Sequence, residues 1–219
     1  MSQDKPMSTH ICTPPPAWCP PPGQIELENA GGKTRTEEFI AMNPTHTAPT
    51  LKVGDVAIWE SNAIMRFLCN NFPAAAKFYP ADDPFKRAKL DIALDWRQTG
   101  YYQQIPALGY HIFGYPSPDE QVQESFKKLL GHLELLTGTF LKDTPFVYSD
   151  TVTIADLAIV PPLGFVMSRP KFYEKIPQAV KDYRARVEAA CPEIVEVMAP
   201  LVGMATGATG AATELAPEE

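Results

Sequence analysis

"NPTHTAPTLKVGDVAIWESNAIMRFL", Asn43 to Leu68, decides how this chain folds. Two short alternating runs, "APTLKV" and "VAIWE", meet at Gly54-Asp55, a dipeptide suited to a tight primed turn, and so predict a β-hairpin. Pro49 stands at the head of the first strand. A proline donates nothing to a strand ladder, so it belongs at a strand start, an edge or a bulge, and in a tight turn it is a candidate for a cis bond. The main chain of Ala48 ahead of it is then expected to face outward, its N–H and C=O open to an extended peptide. Ser61 reads as the cap of the following helix, "NAIMRFLCNNF", with Ala63, Ile64, Phe67 and Leu68 on one face.

The hairpin and the helix mouth together suggest capture of a small zwitterionic ligand. A helix N-terminus presents unpaired N–H groups and partial positive charge, and the Ser61 hydroxyl adds to them, so a carboxylate is stabilised there. Glu60 beside it could pair with an ammonium group. The two match the charges of a free α-amino-acid end.

Upstream, "QIELEN" alternates like a strand, "GGK" turns, and Thr36 can cap a short helix through "EEFIAM" that Asn43-Pro44 ends. The first half therefore reads β-α-β-β-α. "NNFPAAAKFYPADDP" is a proline-punctuated linker, and the periodicity after it is helical. Phe85, Ala88, Ile92 and Trp96 repeat at helix spacing. Val122, Phe126, Leu129, Leu133, Leu136 and Phe140 form a longer stripe, opened by Ser117, Pro118 and Glu120 as a capping box with proline in the first helical position. Thr153 and Asp156 make a second capping box ahead of "IADLAIVPPLGFV", structural in purpose. "IPQAVKDYRARVEAA" closes the series with Val180, Tyr183 and Val187 inward. The expected domains are a Pro-rich leader (1–24), an α/β half (25–74), a linker (75–84), an all-helical half (85–200) and a flexible tail (201–219).

Composition excludes several classes of function. The formal charge of −7, without basic runs, argues against nucleic acid or an acidic membrane surface as partner. No apolar stretch approaches the roughly 20 residues that span a bilayer, and the N-terminus lacks the apolar core of a signal peptide. Cys12, Cys19, Cys69 and Cys191 show no CxxC spacing, and no usable glycosylation sequon occurs, which fits the cytosol. His10, Cys12 and Cys19 lack the second pair that a metal site needs, so no metal is expected.

As a set, Asn43-Pro44, Pro49, "WESNAIMRFL" and "TIADL" in this order and separation resemble the cytosolic glutathione S-transferases, in a theta-like form, over roughly residues 25 to 200. The resemblance implies a thioredoxin-like N-terminal half, an all-helical C-terminal half, a homodimer, and conjugation of glutathione, the co-substrate, to small hydrophobic electrophiles. It also implies that the Ala48 backbone, ahead of Pro49, pairs with the cysteinyl part of glutathione, that Glu60 and Ser61 hold its γ-glutamyl end, and that His46 or Thr47 lies near its glycine carboxylate. The alternative is a catalytically inactive module of the same fold that dimerises or docks partners.

The start of the chain departs from that pattern. Family members open with a strand and a full helix, and the group that activates the glutathione sulfur lies at their junction. Here "STHIC" could form a short strand, but the next stretch belongs to a leader with seven prolines in its first 22 residues, which no α-helix can run through. An atypical or truncated N-terminus without the first helix is expected. Conjugation requires the sulfur as a thiolate, whereas a free thiol has a pKa near 8.5. Ser8, Thr13 and Cys19 are candidate donors by position, and the sequence assigns the catalytic role to none of them. Trp96, Tyr101, Tyr102 and Tyr110 suit either an electrophile pocket or the core, and Arg97 could meet a polar substrate.

Overall fold

The structure is a computed structural model and describes residues 32–109 and 118–207. The chain folds as two compact units, one through Asp83 and the other from Pro84 onward. The predicted strand at "QIELEN", the "STHIC" strand and the proline-rich leader lie outside the described residues.

In the first unit, Gly32 takes a left-handed φ of 86° and opens a 3-10 turn, Lys33–Arg35. Thr36 then caps α1 (Glu37–Met42), its Oγ1 accepting from Phe39 N–H at 3.3 Å. The hairpin follows as expected. β1 (Thr50–Val53) and β2 (Val56–Trp59) pair antiparallel in the register Thr50↔Trp59, Leu51↔Ile58, Lys52↔Ala57 and Val53↔Val56. Gly54 carries a positive φ of 58° and Asp55 is not among the positive-φ residues, the pattern of a primed turn with glycine first. α2 (Ser61–Asn71) and the short α3 (Pro73–Ala76) complete the unit.

Two details of α2 differ from expectation. Its N-cap is Glu60, not Ser61, because the chain breaks at Glu60 with φ 70°, and the Glu60 carbonyl accepts the first helical bond from Ile64 N–H at 3.0 Å. Ser61 is the first helical residue. The buried side is also rotated: Asn62, Ile64 and Cys69 are buried while Ala63 is exposed.

The second unit is built around α7 (Ile154–Met167), which is apolar on nearly every side and so must be central. Contacting it are α4 (Pro84–Trp96), α5 (Ile105–Gly109), α8 (Pro170–Lys175), α9 (Gln178–Ala190) and α10 (Glu193–Gly207). α6 (Asp119–Leu135) packs against α5 and runs into a π-helical turn, Leu136–Phe140. The six-residue stripe from Val122 to Phe140 is buried throughout, as are Val180, Tyr183 and Val187 of α9. Pro118 is the N-cap of α6 and Asp119 its first residue, one position later than the capping box predicted; Ser117 lies outside the described residues.

α4 corrects the sequence reading more sharply. Its buried residues are Leu90, Ala93 and Leu94, whereas Phe85 is 82% exposed and Ile92 57% exposed. The helix carries two apolar stripes, and spacing alone cannot say which one the unit covers. A second π-helical turn, Arg97–Tyr101, and a 3-10 turn, Tyr102–Gln104, join α4 to α5. Gly109 ends α5 against α7, leaving the room that the Phe165 ring fills.

α7 also contains Pro161 and Pro162. Pro162 has no N–H to give the Ala158 carbonyl, which would otherwise accept it four residues back. Arg97 supplies the donor instead, Nε to Ala158 O at 3.3 Å, and Tyr101 Oη donates to the next carbonyl, Ile159, at 3.0 Å. No helix among the described residues is long and apolar enough to cross a membrane.

Candidate functional site

The hairpin register places the candidate residues. Because Thr50 pairs with Trp59, the residues just outside that pair, Pro49 on the way in and Glu60 on the way out, flank the same end of the ladder. His46, Thr47, Ala48 and Pro49 lead into that end, and Glu60 and Ser61 lead away from it into α2. Residues eleven apart in sequence become neighbours at one hairpin end because two four-residue strands with a two-residue turn fold back on themselves.

Every residue from Pro44 to Pro49 is exposed. The Ala48–Pro49 peptide is cis. Among the described residues the Ala48 N–H and C=O make no hydrogen bond, and Ala48 precedes the ladder that would have engaged them. A strand-like main chain with both polar groups open can pair with an extended peptide. His46 has a positive φ of 46° and its N–H is donated to the Asn43 carbonyl at 2.9 Å, which leaves its side chain on the outer surface of the loop.

On the other arm, α2 starts without a side-chain cap. Its first-turn N–H groups carry the positive end of an eleven-residue helix dipole. Glu60 has φ 70° and ψ 116°, a conformation that L-residues rarely take and that costs on the order of 1–3 kcal/mol. Such outliers persist where the surrounding structure holds them, and they concentrate at ligand clamps.

Asn43 belongs to this site although the sequence reading gave it no part in the site, using it to end α1 and, with Pro44, as one mark of the family resemblance. It is fully buried, and its amide Nδ2 donates to Thr47 O at 2.9 Å and to Thr50 Oγ1 at 2.9 Å. Its Oδ1 accepts from Thr45 N–H at 3.0 Å and from Thr45 Oγ1 at 2.6 Å. The only signal available was a polar residue directly ahead of a proline, which is equally a plain helix stop.

The aromatic residues considered for an electrophile pocket divide differently. Tyr101 is fully buried, burial pushes its hydroxyl well above the ordinary value, and its proton is committed to Ile159 O; it belongs to the core. Trp96 stacks on Tyr101 with ring centroids 5.7 Å apart and meets Phe140 at 4.7 Å. Arg97 is buried, which lowers its pKa, and it stacks over Tyr102 at 4.2 Å while bonding Ala158 O and, at 2.7 Å, Gln98 Oε1. Its donors serve the fold. Tyr110 and the candidate sulfur-activating residues Ser8, Thr13 and Cys19 lie outside the described residues.

The structural capping box is present in full. Asp156, buried at the start of α7, accepts from Thr153 N–H and Thr153 Oγ1 at 2.8 Å each, from Val147 N–H at 3.0 Å and from Tyr183 Oη at 2.8 Å. Burial raises its carboxyl pKa while these four donors pull it back down.

Comparison with known proteins agrees with this anatomy. Residues 22–71 match the family model "Glutathione S-transferase, N-terminal domain" and residues 101–190 match "Glutathione S-transferase, C-terminal domain". Glutathione S-transferase theta-3 of Mus musculus is 30% identical over 174 residues, a stretch covering 76% of this chain and 71% of the mouse protein. Among solved structures, a delta-class glutathione transferase of Nilaparvata lugens is 30% identical with a TM-score of 0.67, covering 83% of this chain and 85% of that one. A mutant of human glutathione-S-transferase T1-1 in its apo form is 25% identical with a TM-score of 0.68, covering 84% and 80% respectively. The thioredoxin-like first half and helical second half are therefore those of a known architecture. The chain belongs to the glutathione S-transferase family, as a theta-like member.

Proposed function

We propose that this protein conjugates glutathione to small hydrophobic electrophiles, acting in the cytosol as a homodimer. The observation that carries the reading is the hairpin end, where an unpaired Ala48 main chain and the uncapped mouth of α2 flank the Thr50–Trp59 pair. Glutathione fits its chemistry. The cysteinyl peptide unit can pair with Ala48 N–H and C=O as an added strand, and the γ-glutamyl carboxylate can meet the Ser61 hydroxyl and the first N–H groups of α2. The γ-glutamyl ammonium meets Glu60. His46 or Thr47 is left for the glycine carboxylate.

Holding both ends of the tripeptide fixes where its sulfur sits, which is the positioning part of catalysis. The remaining requirement is a donor within about 3 Å that favours the thiolate over the thiol. Ser8, Thr13 and Cys19 remain the candidates for it. For the dimer, the exposed Phe85 and Ile92 stripe of α4 offers apolar surface that a second copy can cover.

The test is calorimetric titration of the intact protein with glutathione, followed by turnover of a chlorinated aromatic substrate. Binding and turnover are expected, with dissociation constants about tenfold higher for Glu60→Ala and for Ser61→Ala, since charge-assisted hydrogen bonds are worth about 1.5–3 kcal/mol. Unchanged affinity in both variants would remove the site assignment. Binding without turnover would leave an inactive module.

A further inference from the structure

A six-residue exposed loop ordinarily samples several conformations, yet the segment from Pro44 to Pro49 is pinned from beneath by one buried side chain. Every polar group of Asn43 is hydrogen-bonded. Its main-chain N–H donates to Phe39 O at 2.8 Å and its carbonyl accepts from His46 N–H at 2.9 Å. The side chain makes the four bonds to Thr45, Thr47 and Thr50 given above. Asn43 thus ties the end of α1, the loop and the first residue of β1 to one another.

The direction of every bond in this network follows from one fixed donor. Thr45 N–H can only donate, so the Asn43 atom it meets is the oxygen, and the amide nitrogen must face Thr47 O and Thr50 Oγ1. The Thr45 hydroxyl spends its single proton on Asn43 Oδ1, so in the 2.9 Å contact between Thr45 Oγ1 and Thr47 Oγ1 the proton comes from Thr47. Thr50 accepts from Asn43 and donates to Thr47 O at 3.1 Å. The carbonyl and the hydroxyl of Thr47, the residue directly before Ala48, are both held by this chain of bonds.

We infer that Asn43 is a positioning residue. Without touching the ligand, it holds the loop in the one conformation that presents the Ala48 main chain to glutathione. The inference rests on the glutathione reading above. Pre-ordering a loop removes a cost that binding would otherwise meet, so its loss shows in affinity for the molecule that the loop receives and not in the chemical step.

Steady-state kinetics on the intact protein tests this. Asn43→Asp keeps the size of the side chain and both bonds from Thr45, but turns an oxygen toward Thr47 O and Thr50 Oγ1. Thr45→Val, at an exposed position, removes the hydroxyl proton that Asn43 Oδ1 receives and the acceptor for the Thr47 hydroxyl, leaving only the bond from the residue 45 N–H; Thr45→Ser retains all three. The expected result is a KM for glutathione about tenfold higher in Asn43→Asp and about threefold higher in Thr45→Val, with kcat and the electrophile KM within about twofold and Thr45→Ser like the unaltered protein. Asn71→Ala is the control for simple destabilisation in the same unit, since it loses the bond from Asn71 Nδ2 to Phe67 O at 2.7 Å. Should Asn43→Asp fail to fold, Thr45→Val against Thr45→Ser decides alone. A glutathione KM in Asn43→Asp and Thr45→Val no higher than in Asn71→Ala would overturn the inference. Absence of any glutathione binding by the unaltered protein would instead sink the glutathione reading, and the inference with it, before a variant is made.

Discussion

The starts of α2 and α7 use the same local device to opposite ends. At α7, Thr153 and Asp156 close a reciprocal box, and the carboxylate also gathers Val147 N–H and Tyr183 Oη, so the helix mouth is buried and capped by the chain's own side chains. At α2 the cap is Glu60, no side chain caps the first turn, and the backbone is held at a positive φ. The difference is written three residues downstream. Thr153 is followed at that distance by Asp156, which reaches back; Ser61 is followed by Ile64 and Glu60 by Ala63, which cannot. One helix mouth is closed by its own side chains, and the other starts without a side-chain cap, as the proposed glutathione site requires. Changes at the first should therefore register in stability, and changes at the second in binding.

The largest expected effect tests the first half of that contrast. Asp156→Ala strands four donors in a region where Thr153, Val147 and Tyr183 are essentially without exposure. Each unsatisfied buried group costs about 1–3 kcal/mol, partly relieved by rearrangement, so a total loss of about 4 kcal/mol and a fall in Tm of about 10 °C are expected by scanning calorimetry. Asp156→Asn keeps an acceptor for some of the donors and should lose less. A loss under about 1 kcal/mol for Asp156→Ala would mean that this mouth is no more committed to folding than α2's.

A smaller effect concerns the centre of the same helix. Arg97→Leu leaves the Ala158 carbonyl buried without its donor, offset in part by no longer burying a cation, for a net loss of about 1–2 kcal/mol. Pro162→Ala returns an N–H to that carbonyl. In a double-mutant cycle by urea denaturation, Pro162→Ala should therefore cancel much of the Arg97→Leu loss, with a coupling of about 1 kcal/mol. Strict additivity would show that Arg97 is not standing in for the missing helical donor, and would reopen a ligand-facing role for it.

Much of this anatomy was legible in the sequence because single local rules governed it. Gly54-Asp55 marked the hairpin turn, the 122–140 stripe matched one helix face, and the Thr153–Asp156 spacing named its own hydrogen bonds. What was missed depended on more than one element. α4 has two apolar stripes, and only the packing against α7 selects Leu90, Ala93 and Leu94 over Phe85 and Ile92. α10 was not anticipated, since Pro200 and a run of small residues disguise a helix that gains its place by packing on α7. At the candidate site, the residues flanking the hairpin were readable from Pro49 and the helix start. Asn43 was not, because its role exists only once Thr45, Thr47 and Thr50 are folded over it. The shift of the cap from Ser61 to Glu60 was hidden for a similar reason: no composition rule favours a glutamate at positive φ.

That glutamate supplies the test with the smallest effect on stability and the sharpest view of the contrast. At Glu60 the backbone strain of about 1–3 kcal/mol is retained by an ordinary L-residue where glycine would adopt the same φ freely. Glu60→Gly relieves the strain but gives the unfolded chain more freedom, worth about 0.4–1 kcal/mol, so a net gain of about 1 kcal/mol is expected. Glutathione affinity should move the other way, falling about tenfold as the partner for the γ-glutamyl ammonium is lost. Glu60→Ala separates the two contributions, because it removes the carboxylate and keeps the strain: its affinity should match that of Glu60→Gly and its stability that of the unaltered protein. A variant set in which glycine raises stability and both substitutions weaken binding would mean that a strained glutamate is maintained at the mouth of α2 for the ligand. If Glu60→Gly were instead destabilising and bound glutathione normally, the open helix start would be an ordinary turn, and the distinction between the two helix mouths would fail.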